Sequence, residues 1–237
     1  MTLTPTTAGA EWQRLLASCQ EEVAEAATHP HYAAAYRAEE LSYWLHVPGW
    51  IEEDARAHPP RRCLDVGCAY GTLLVYVRRL TGCEVFGTDF TDAYVSPALL
   101  AKHEINFAVS NIELDPLPWP HTFDMILFTE ILEHLNFRAE PTLRKLAGLL
   151  APGGRIYLTT PDAAEWGRTT KYYPSYDALP EPREELRGQL VDDHVWQFDE
   201  SELMCVLAEA GLSVHRRAYA PGQSCRHFNL TLRRSEE

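Results

Sequence analysis

The chain has 237 residues, which suits one α/β domain, and its apolar content of 46% is enough for a sizeable core. Its formal net charge of −13 argues against a nucleic-acid partner, because an acidic surface repels a phosphate backbone. The six cysteines have scattered spacings that match neither a zinc site nor a disulfide framework, so we expect reduced thiols, no metal and a cytoplasmic protein.

The chain begins with MTLTPTTAGAEW, which lacks the basic start and apolar run of a signal peptide, and no later run is long enough to span a membrane. Helical periodicity predicts helices over 11–28 and 31–46, the second ended by a Pro-Gly pair at 48–49. We expect residues 1–50 to form a helical lid over a ligand. The alternative is an ordinary amphipathic face. Four aromatic residues fall in this part: Tyr32, Tyr36, Tyr43 and Trp44.

Strands and helices then alternate, which predicts a doubly wound α/β fold with a mostly parallel sheet and helices on both faces. The predicted strands cover 62–66, 83–88, 105–109, 123–129 and 155–160. The predicted helices cover 71–80, 142–150 and 199–211. The two last strands, 213–220 and 227–234, are joined by a short turn and should pair as an antiparallel hairpin.

Residues 161–196 interrupt this alternation with four prolines and several aromatic residues. A segment of this length without periodicity is either a functional cover or disordered, and its aromatic content favours a cover. We therefore predict a single domain over 1–237 with a cover segment at 161–196. Four aromatic residues of this segment could form a pocket for the methyl acceptor, or could simply pack the cover onto the sheet: Trp166, Tyr172, Tyr173 and Tyr176.

The stretch LDVGCAYG lies between the first predicted strand and its helix, where the crevice of an open α/β sheet binds ligands. Gly67, Ala69 and Gly71 let a ligand approach the backbone. The pattern is not G-x-G-x-x-G, and the acid Asp65 suits a cationic ammonium group better than a pyrophosphate. Asp89 ends the next strand, where a carboxylate can accept hydrogen bonds from the hydroxyls of a ribose.

In combination these motifs resemble those of class I S-adenosylmethionine-dependent methyltransferases, over about residues 60–160. Ala69 stands where the family usually has a middle glycine, and Asn111 in SNIELDPLPW stands where it usually has an aspartate. The resemblance implies that S-adenosylmethionine is the cofactor. It also implies a set of cofactor-binding residues: Asp65, Gly67, Ala69, Gly71, Asp89, Phe90, Asn111, Ile112 and Thr129.

The resemblance implies methyl transfer to a hydroxyl or amine of a small molecule, such as a sugar or a secondary metabolite. A histidine is the natural general base near neutral pH, and His134 and His194 are the candidates. We favour His194, because it lies in the cover segment and such segments usually carry contacts to the acceptor. Asp192 and Asp193 are placed to orient His194 or to raise its pKa. Glu130 is a further candidate. Structural roles for both histidines stay open as alternatives.

Two other classes of function remain open. A cofactor-binding regulatory protein of the same fold would keep the motifs and lack catalysis. An NAD-dependent oxidoreductase is disfavoured by the acid in the loop and the missing G-x-G-x-x-G spacing. We expect a small-molecule partner, no membrane and no nucleic acid. The oligomeric state does not follow from these residues.

Overall fold

The structure is a computed structural model that describes residues 9–27 and 29–235. Of the lid predicted over residues 1–50, residues 1–8 and 28 lie outside the described residues. The strands are Arg62–Val66 (β1), Glu84–Asp89 (β2), Asn106–Val109 (β3), Phe123–Thr129 (β4), Leu150–Pro161 (β5), Leu212–Ala220 (β6) and His227–Arg234 (β7). They form one sheet in the order β3-β2-β1-β4-β5-β7-β6.

Strands β1 to β5 are parallel, and β7 lies antiparallel between β5 and β6. This confirms the doubly wound, mostly parallel sheet and the C-terminal hairpin. The strand order reverses between β1 and β4, whose carboxyl ends therefore border a crevice. Strand β5 starts earlier than predicted, because Leu150 pairs with Phe123 before a shift in register.

The helices are Gly9–Ala26 (α1), Arg37–Tyr43 (α2), Val47–Ala57 (α3), Thr72–Thr81 (α4), Pro97–Lys102 (α5), Ala139–Leu149 (α6), Ala163–Trp166 (α7) and Glu200–Glu209 (α8). Alternate residues of β4 enter two separate buried clusters. Ile126 packs with α6 and α8 on one face, and Leu127 packs with α1, α3 and α4 on the other. Within the described residues, none of the helices has both the length and the apolar character needed to cross a membrane.

The N-terminal region differs from the sequence prediction in two respects. A π-helical turn, Tyr32–Tyr36, leads into α2, which already ends at Tyr43. Pro48, expected to end a helix, instead lies in the first turn of α3. Proline suits that position because the first N–H groups of a helix have no partner within it. Helix α5, Pro97–Lys102, was also not predicted.

Helix α3 is attached to the sheet by one buried carboxylate. Asp54 is 5% exposed and forms ion pairs with Arg155 on β5 and, at 2.6 Å, with Arg216 on β6. The hydroxyl of Tyr157 on β5 donates to Asp54 Oδ2 at 2.7 Å. These contacts hold the N-terminal helices against the strands that carry the C-terminal hairpin.

Replacing Asp54 should destabilise the protein strongly. The Asp54→Ala variant should lose about 3 kcal/mol of unfolding free energy, because it leaves the Arg155 guanidinium, whose side chain is 14% exposed, without its counter-charge. The matched control is Glu53→Ala, since Glu53 pairs with the same Arg216 at 3.3 Å but is 67% exposed, and it should lose less than about 1 kcal/mol. Denaturant unfolding measures both variants, and similar losses would contradict the assignment.

Candidate functional site

A cavity of about 400 Å³ opens at the carboxyl ends of β1 to β4. Seven of the predicted cofactor residues line it: Gly67, Ala69, Asp89, Phe90, Asn111, Ile112 and Thr129. Asp65 and Gly71 are not in its lining. The structure therefore brings most of the predicted set together at the point where the strand order reverses.

The loop after β1 has three left-handed residues, Gly67 with φ 73°, Ala69 with φ 44° and Gly71 with φ 81°. A Cβ atom on Gly67 would lie 2.0 Å from Ile131 Cδ1, so any larger residue there would displace the cavity wall. Glycine is needed at this position both for its backbone conformation and for the close approach.

Asp89 holds this loop in place. Its carboxylate accepts hydrogen bonds from the N–H of Ala69 at 3.0 Å and of Thr91 at 3.3 Å. Burial raises the pKa of Asp89, although these N–H donors favour its ionised form. The role predicted for Asp89 toward ribose hydroxyls stays a prediction.

Asp65, the penultimate residue of β1, has a buried carboxyl group with an unpaired oxygen. Its side chain is 3% exposed, and its Oδ1 has no hydrogen-bond partner among the described residues. Burial raises the pKa of Asp65 to about 8, and the nearby charges of Asp89 and Glu40 add to this effect. Buried carboxyl groups usually have partners, so this one indicates a missing cationic or hydrogen-bonding ligand.

At the other end of the cavity, Asn111 stabilises its own turn. Its side-chain oxygen accepts from the N–H of Glu113 at 2.8 Å and of Leu114 at 3.1 Å. From the sequence, we expected that oxygen to accept from the adenine amine. It already accepts from two backbone N–H groups, and the role toward adenine stays a prediction. Ser110 was missed by the sequence analysis. Its buried hydroxyl lines the cavity and has no partner among the described residues.

Part of the cover segment closes this same end. Leu190 and Asp192 line the cavity, and Val191 forms a reciprocal pair of hydrogen bonds with the side chain of Asn136. The Asn136 amide donates to Val191 O at 3.0 Å and accepts from Val191 N at 2.8 Å. Arg187 adds an ion pair of 2.5 Å with Asp115. We call residues 184–192 the strap.

The two candidate histidines meet beside the cavity. His134 lines it and follows β4, whereas His194 lies behind His134 with its ring edge-on at 4.7 Å. Burial lowers the pKa of His134, and burial together with the nearby His134 lowers that of His194 to about 4. The charge of Asp193 does raise the pKa of His194, as expected, but desolvation outweighs it and the net pKa falls.

Most of the predicted aromatic acceptor pocket lies elsewhere. Tyr176 packs against Phe198 and donates to Glu140 at 2.8 Å. Tyr172 donates to Asp193 at 2.6 Å. Among these four side chains, Trp166 lies beside a candidate histidine, with its ring centroid 4.8 Å from that of His194. From the N-terminal region, Tyr36 lines the cavity.

Glu130 and His227 form a contact that the sequence did not reveal. Glu130 lines the cavity with an unusual φ of 56°, and its Oε2 lies 2.8 Å from His227 Nδ1. His227 is 1% exposed and stacks on Tyr43 with ring centroids 4.5 Å apart. His227 carried no sequence signal, because its strand lies far along the chain from β4.

The structure brings together three possible metal ligands that the sequence analysis did not identify, and the expectation of no metal stays a prediction. Glu133, His134 and His194 offer ligand atoms that all lie within 4.8 Å of one another. Glu133 Oε2 accepts from the Thr160 hydroxyl at 2.9 Å, and the carboxyl group of Glu133 also shares a side-chain hydrogen bond with Glu130. Spacing along the chain could not show this group, because His194 comes from the cover segment.

Comparisons with known proteins agree that the chain is similar to methyltransferases. The sequence model of a family described as a methyltransferase domain matches residues 30–216. The ubiquinone biosynthesis O-methyltransferase of Xanthomonas euvesicatoria is 35% identical over 105 residues, which are 42% of this chain and 42% of the relative. That of Nitrosospira multiformis is 31% identical over 116 residues, 47% of each chain. The chain thus spans less than half the length of these relatives.

Two solved structures resemble the whole chain in fold. The 1,6-didemethyltoxoflavin-N1-methyltransferase of Burkholderia thailandensis, with its substrate and S-adenosylhomocysteine bound, has a TM-score of 0.60 and 19% identity, covering 99% of this chain and 94% of that one. The magnesium protoporphyrin IX methyltransferase of Synechocystis, with S-adenosylhomocysteine bound, has a TM-score of 0.62 and 18% identity, covering 97% and 95%. At these identities the likeness concerns the fold.

Removing the Asn136 side chain should release the strap. In Asn136→Ala, amide exchange around Val191 should rise about tenfold or more, since two hydrogen bonds are lost. Hydrogen–deuterium exchange measured by mass spectrometry checks this. The control is Asn106→Ala on β3, whose side chain donates only to Val85 O, at 3.3 Å. Unchanged exchange in Asn136→Ala would show that the strap is held by other contacts.

Proposed function

The chain belongs to the family of class I methyltransferase domains, and on that premise we propose that it moves a methyl group from S-adenosylmethionine to a hydroxyl or amine of a small molecule. The observation that carries the proposal is the unpaired, buried carboxyl group of Asp65 beside a glycine loop that opens into the cavity. The ubiquinone biosynthesis relatives are named O-methyltransferases, which supports a hydroxyl acceptor. The 1,6-didemethyltoxoflavin enzyme is named an N1-methyltransferase, which supports a nitrogen acceptor.

The residues of the cavity fit this cofactor. Asp65, next to the lining residue Val66, offers a carboxylate to the ammonium group of the methionine part, and Gly67 gives the loop the left-handed backbone that it needs there. Asp89 and Ser110 offer oxygen atoms near the position expected for the ribose and adenine. The N–H of Ile112 has no acceptor among the described residues, which suits a ring nitrogen.

Bound S-adenosylmethionine supplies an electrophilic methyl group, whose bond to the sulfonium sulfur breaks as the acceptor lone pair bonds to carbon. The protein must then align the acceptor, exclude water and take up the acceptor proton. The strap and the N-terminal Tyr36 cover the cavity, which supports the exclusion of water.

Among the candidate bases, His134 is better placed than His194. His134 lines the cavity, whereas His194 does not. The lowered pKa of His134 keeps the imidazole neutral near pH 7. His194, with a pKa of about 4, is a weak base and supports the ring of His134 from behind.

Cofactor binding should release a proton. Since burial raises the pKa of Asp65 to about 8, this carboxyl group is mostly protonated at pH 7 in the free protein. A ligand ammonium group favours the carboxylate, so the affinity for S-adenosylhomocysteine should rise as pH rises from 6 toward 8. Calorimetry in buffers of different ionisation enthalpy should show release of up to about one proton.

The matched ligand for this experiment is 5′-methylthioadenosine, which lacks the amino-acid part and should release no proton from Asp65. Asp65→Asn should weaken binding of S-adenosylhomocysteine and abolish its proton release. Equal proton release with both ligands would contradict the assignment of Asp65. Failure of the wild-type protein to bind S-adenosylhomocysteine would contradict the proposed function itself.

The choice of base is tested by methyl transfer from labelled S-adenosylmethionine to a panel of small hydroxyl and amine acceptors. His134→Gln should lower kcat by about 10²–10⁴ without changing the affinity for S-adenosylhomocysteine. His194→Gln should lower kcat less. The control is His215→Gln, because His215 is exposed. Unchanged turnover in His134→Gln rules out this base. No transfer to any acceptor, with the cofactor bound, would favour the regulatory alternative.

A further inference from the structure

One buried carboxyl group, that of Glu40 on α2, joins the N-terminal region to the loop after β1. Its residue is 3% exposed, and three other elements donate hydrogen bonds to it. Thr72, the first residue of α4, donates to Oε1 at 2.7 Å. The Tyr32 hydroxyl and the Gln20 amide donate to Oε2 at 2.9 Å and 3.0 Å. Helix α1, the π-helical turn and α4 therefore meet at this one side chain.

The hydrogen-bond donors of Glu40 are all neutral. Among the described residues Glu40 forms no ion pair with a Lys or Arg, and Arg37 pairs with Glu21 instead, at 3.7 Å. A buried carboxylate is costly unless it is hydrogen-bonded, and both oxygens of Glu40 have donors. All of these donors are in reach only while the three elements keep their present positions, so Glu40 favours this one arrangement.

The segment that Glu40 holds in place covers the ligand cavity. His31 and Tyr36 line the cavity from the N-terminal region, and Tyr70 lines it from the loop after β1. The ring centroid of Tyr70 lies 5.1 Å from that of Tyr36 and 4.8 Å from that of Tyr32. The wall of the cavity is therefore continuous across the junction that Glu40 holds. We call residues 31–43 the N-terminal segment.

Tyr70 indicates that a ligand completes this part of the wall. Its residue is 3% exposed, and its hydroxyl has no hydrogen-bond partner among the described residues. A buried hydroxyl group usually has a partner. The charge of Glu40 adds to the effects of burial and of Asp89 on the pKa of Asp65, so the junction lies near Asp65. The proposed function places the amino-acid part of the cofactor beside that carboxyl group.

We propose that Glu40 is a positioning residue that couples cofactor binding to closure of the N-terminal segment over the amino-acid part of S-adenosylmethionine. This rests on the proposed function, since it concerns the same cavity. Glu40 does not line the cavity, and it acts by holding Tyr36 against Tyr70. Coupling between two events is reciprocal, so a cofactor that fills the space beside these rings also slows the opening of the segment.

The coupling is measured by hydrogen–deuterium exchange in the N-terminal segment of the whole protein. S-adenosylhomocysteine should slow amide exchange in this segment about tenfold or more. 5′-Methylthioadenosine, added to saturation, should slow it far less, because it lacks the amino-acid part. Calorimetry gives the affinity of the protein for each of the two ligands.

Two substitutions remove the junction from its two sides. Glu40→Ala takes away the acceptor of all three donors, and Thr72→Val keeps the shape of its side chain without the hydroxyl. Glu40→Ala should weaken S-adenosylhomocysteine binding about tenfold or more, leave 5′-methylthioadenosine binding nearly unchanged and remove the protection of the segment. Thr72→Val should change each quantity in the same direction by a smaller factor.

Two further variants separate positioning from a general loss of stability. Glu40→Gln keeps an oxygen that accepts hydrogen bonds, so it should restore part of the affinity and of the protection that Glu40→Ala loses. The matched control is Glu21→Gln, because Glu21 is 67% exposed and pairs with Arg37 of the same segment, and it should behave as the wild type. Thermal unfolding shows which variants are folded.

The inference is overturned if folded Glu40→Ala keeps the affinity for S-adenosylhomocysteine and the protection of the segment. Thr72→Val decides in the same way if Glu40→Ala does not fold. An equal loss of affinity for both ligands, or equal protection by both in the wild type, would also overturn it, because Glu40 would then have a structural role alone. Absence of S-adenosylhomocysteine binding in the wild-type protein would instead remove the premise shared with the proposed function.

Discussion

Carboxyl groups buried without a compensating cation shape the whole ligand cavity. Burying an unpaired carboxylate costs several kcal/mol unless it stays protonated or gains a partner. Asp65 keeps a buried oxygen without a donor among the described residues, and burial raises its pKa to about 8. Burial also raises the pKa of Glu133, whose carboxyl group shares a side-chain hydrogen bond with Glu130. A ligand that brings a donor or positive charge to Asp65 is therefore bound more tightly than its contact area alone would suggest.

The N-terminal helices take part in this arrangement through buried acids of their own. Glu40, on α2, accepts hydrogen bonds from Thr72 at 2.7 Å and from the Tyr32 hydroxyl at 2.9 Å, and burial raises its pKa to about 7. Thr72 opens helix α4, directly after the glycine loop. Asp54 on α3 is paired with arginines of the sheet instead. The N-terminal helices therefore contact both the start of α4, after the glycine loop, and the C-terminal strands.

The cover segment lines the cavity with its strap, while its first part packs away from it, a division that its composition did not show. Its last part, the strap, is held by Asn136 and Arg187 over the loop that contains Asn111. Trp166, from its first part, packs against His194, behind the lining residue His134. Most of its tyrosines pack against neighbouring loops and helices. Aromatic content alone cannot separate these roles, because stacking in a pocket and packing on a sheet use the same side chains.

The sequence by itself determined the alternation of strands and helices, the glycine loop after β1 and the C-terminal hairpin. These depend on periodicity, turn residues and left-handed glycines, which are properties of neighbouring residues. It missed α3, because Pro48 can equally end or begin a helix. Tertiary structure alone decided that His134 meets His194 and that Glu130 meets His227. Such contacts join strands and loops far apart in the chain, and they exist only once the sheet order and packing bring them together.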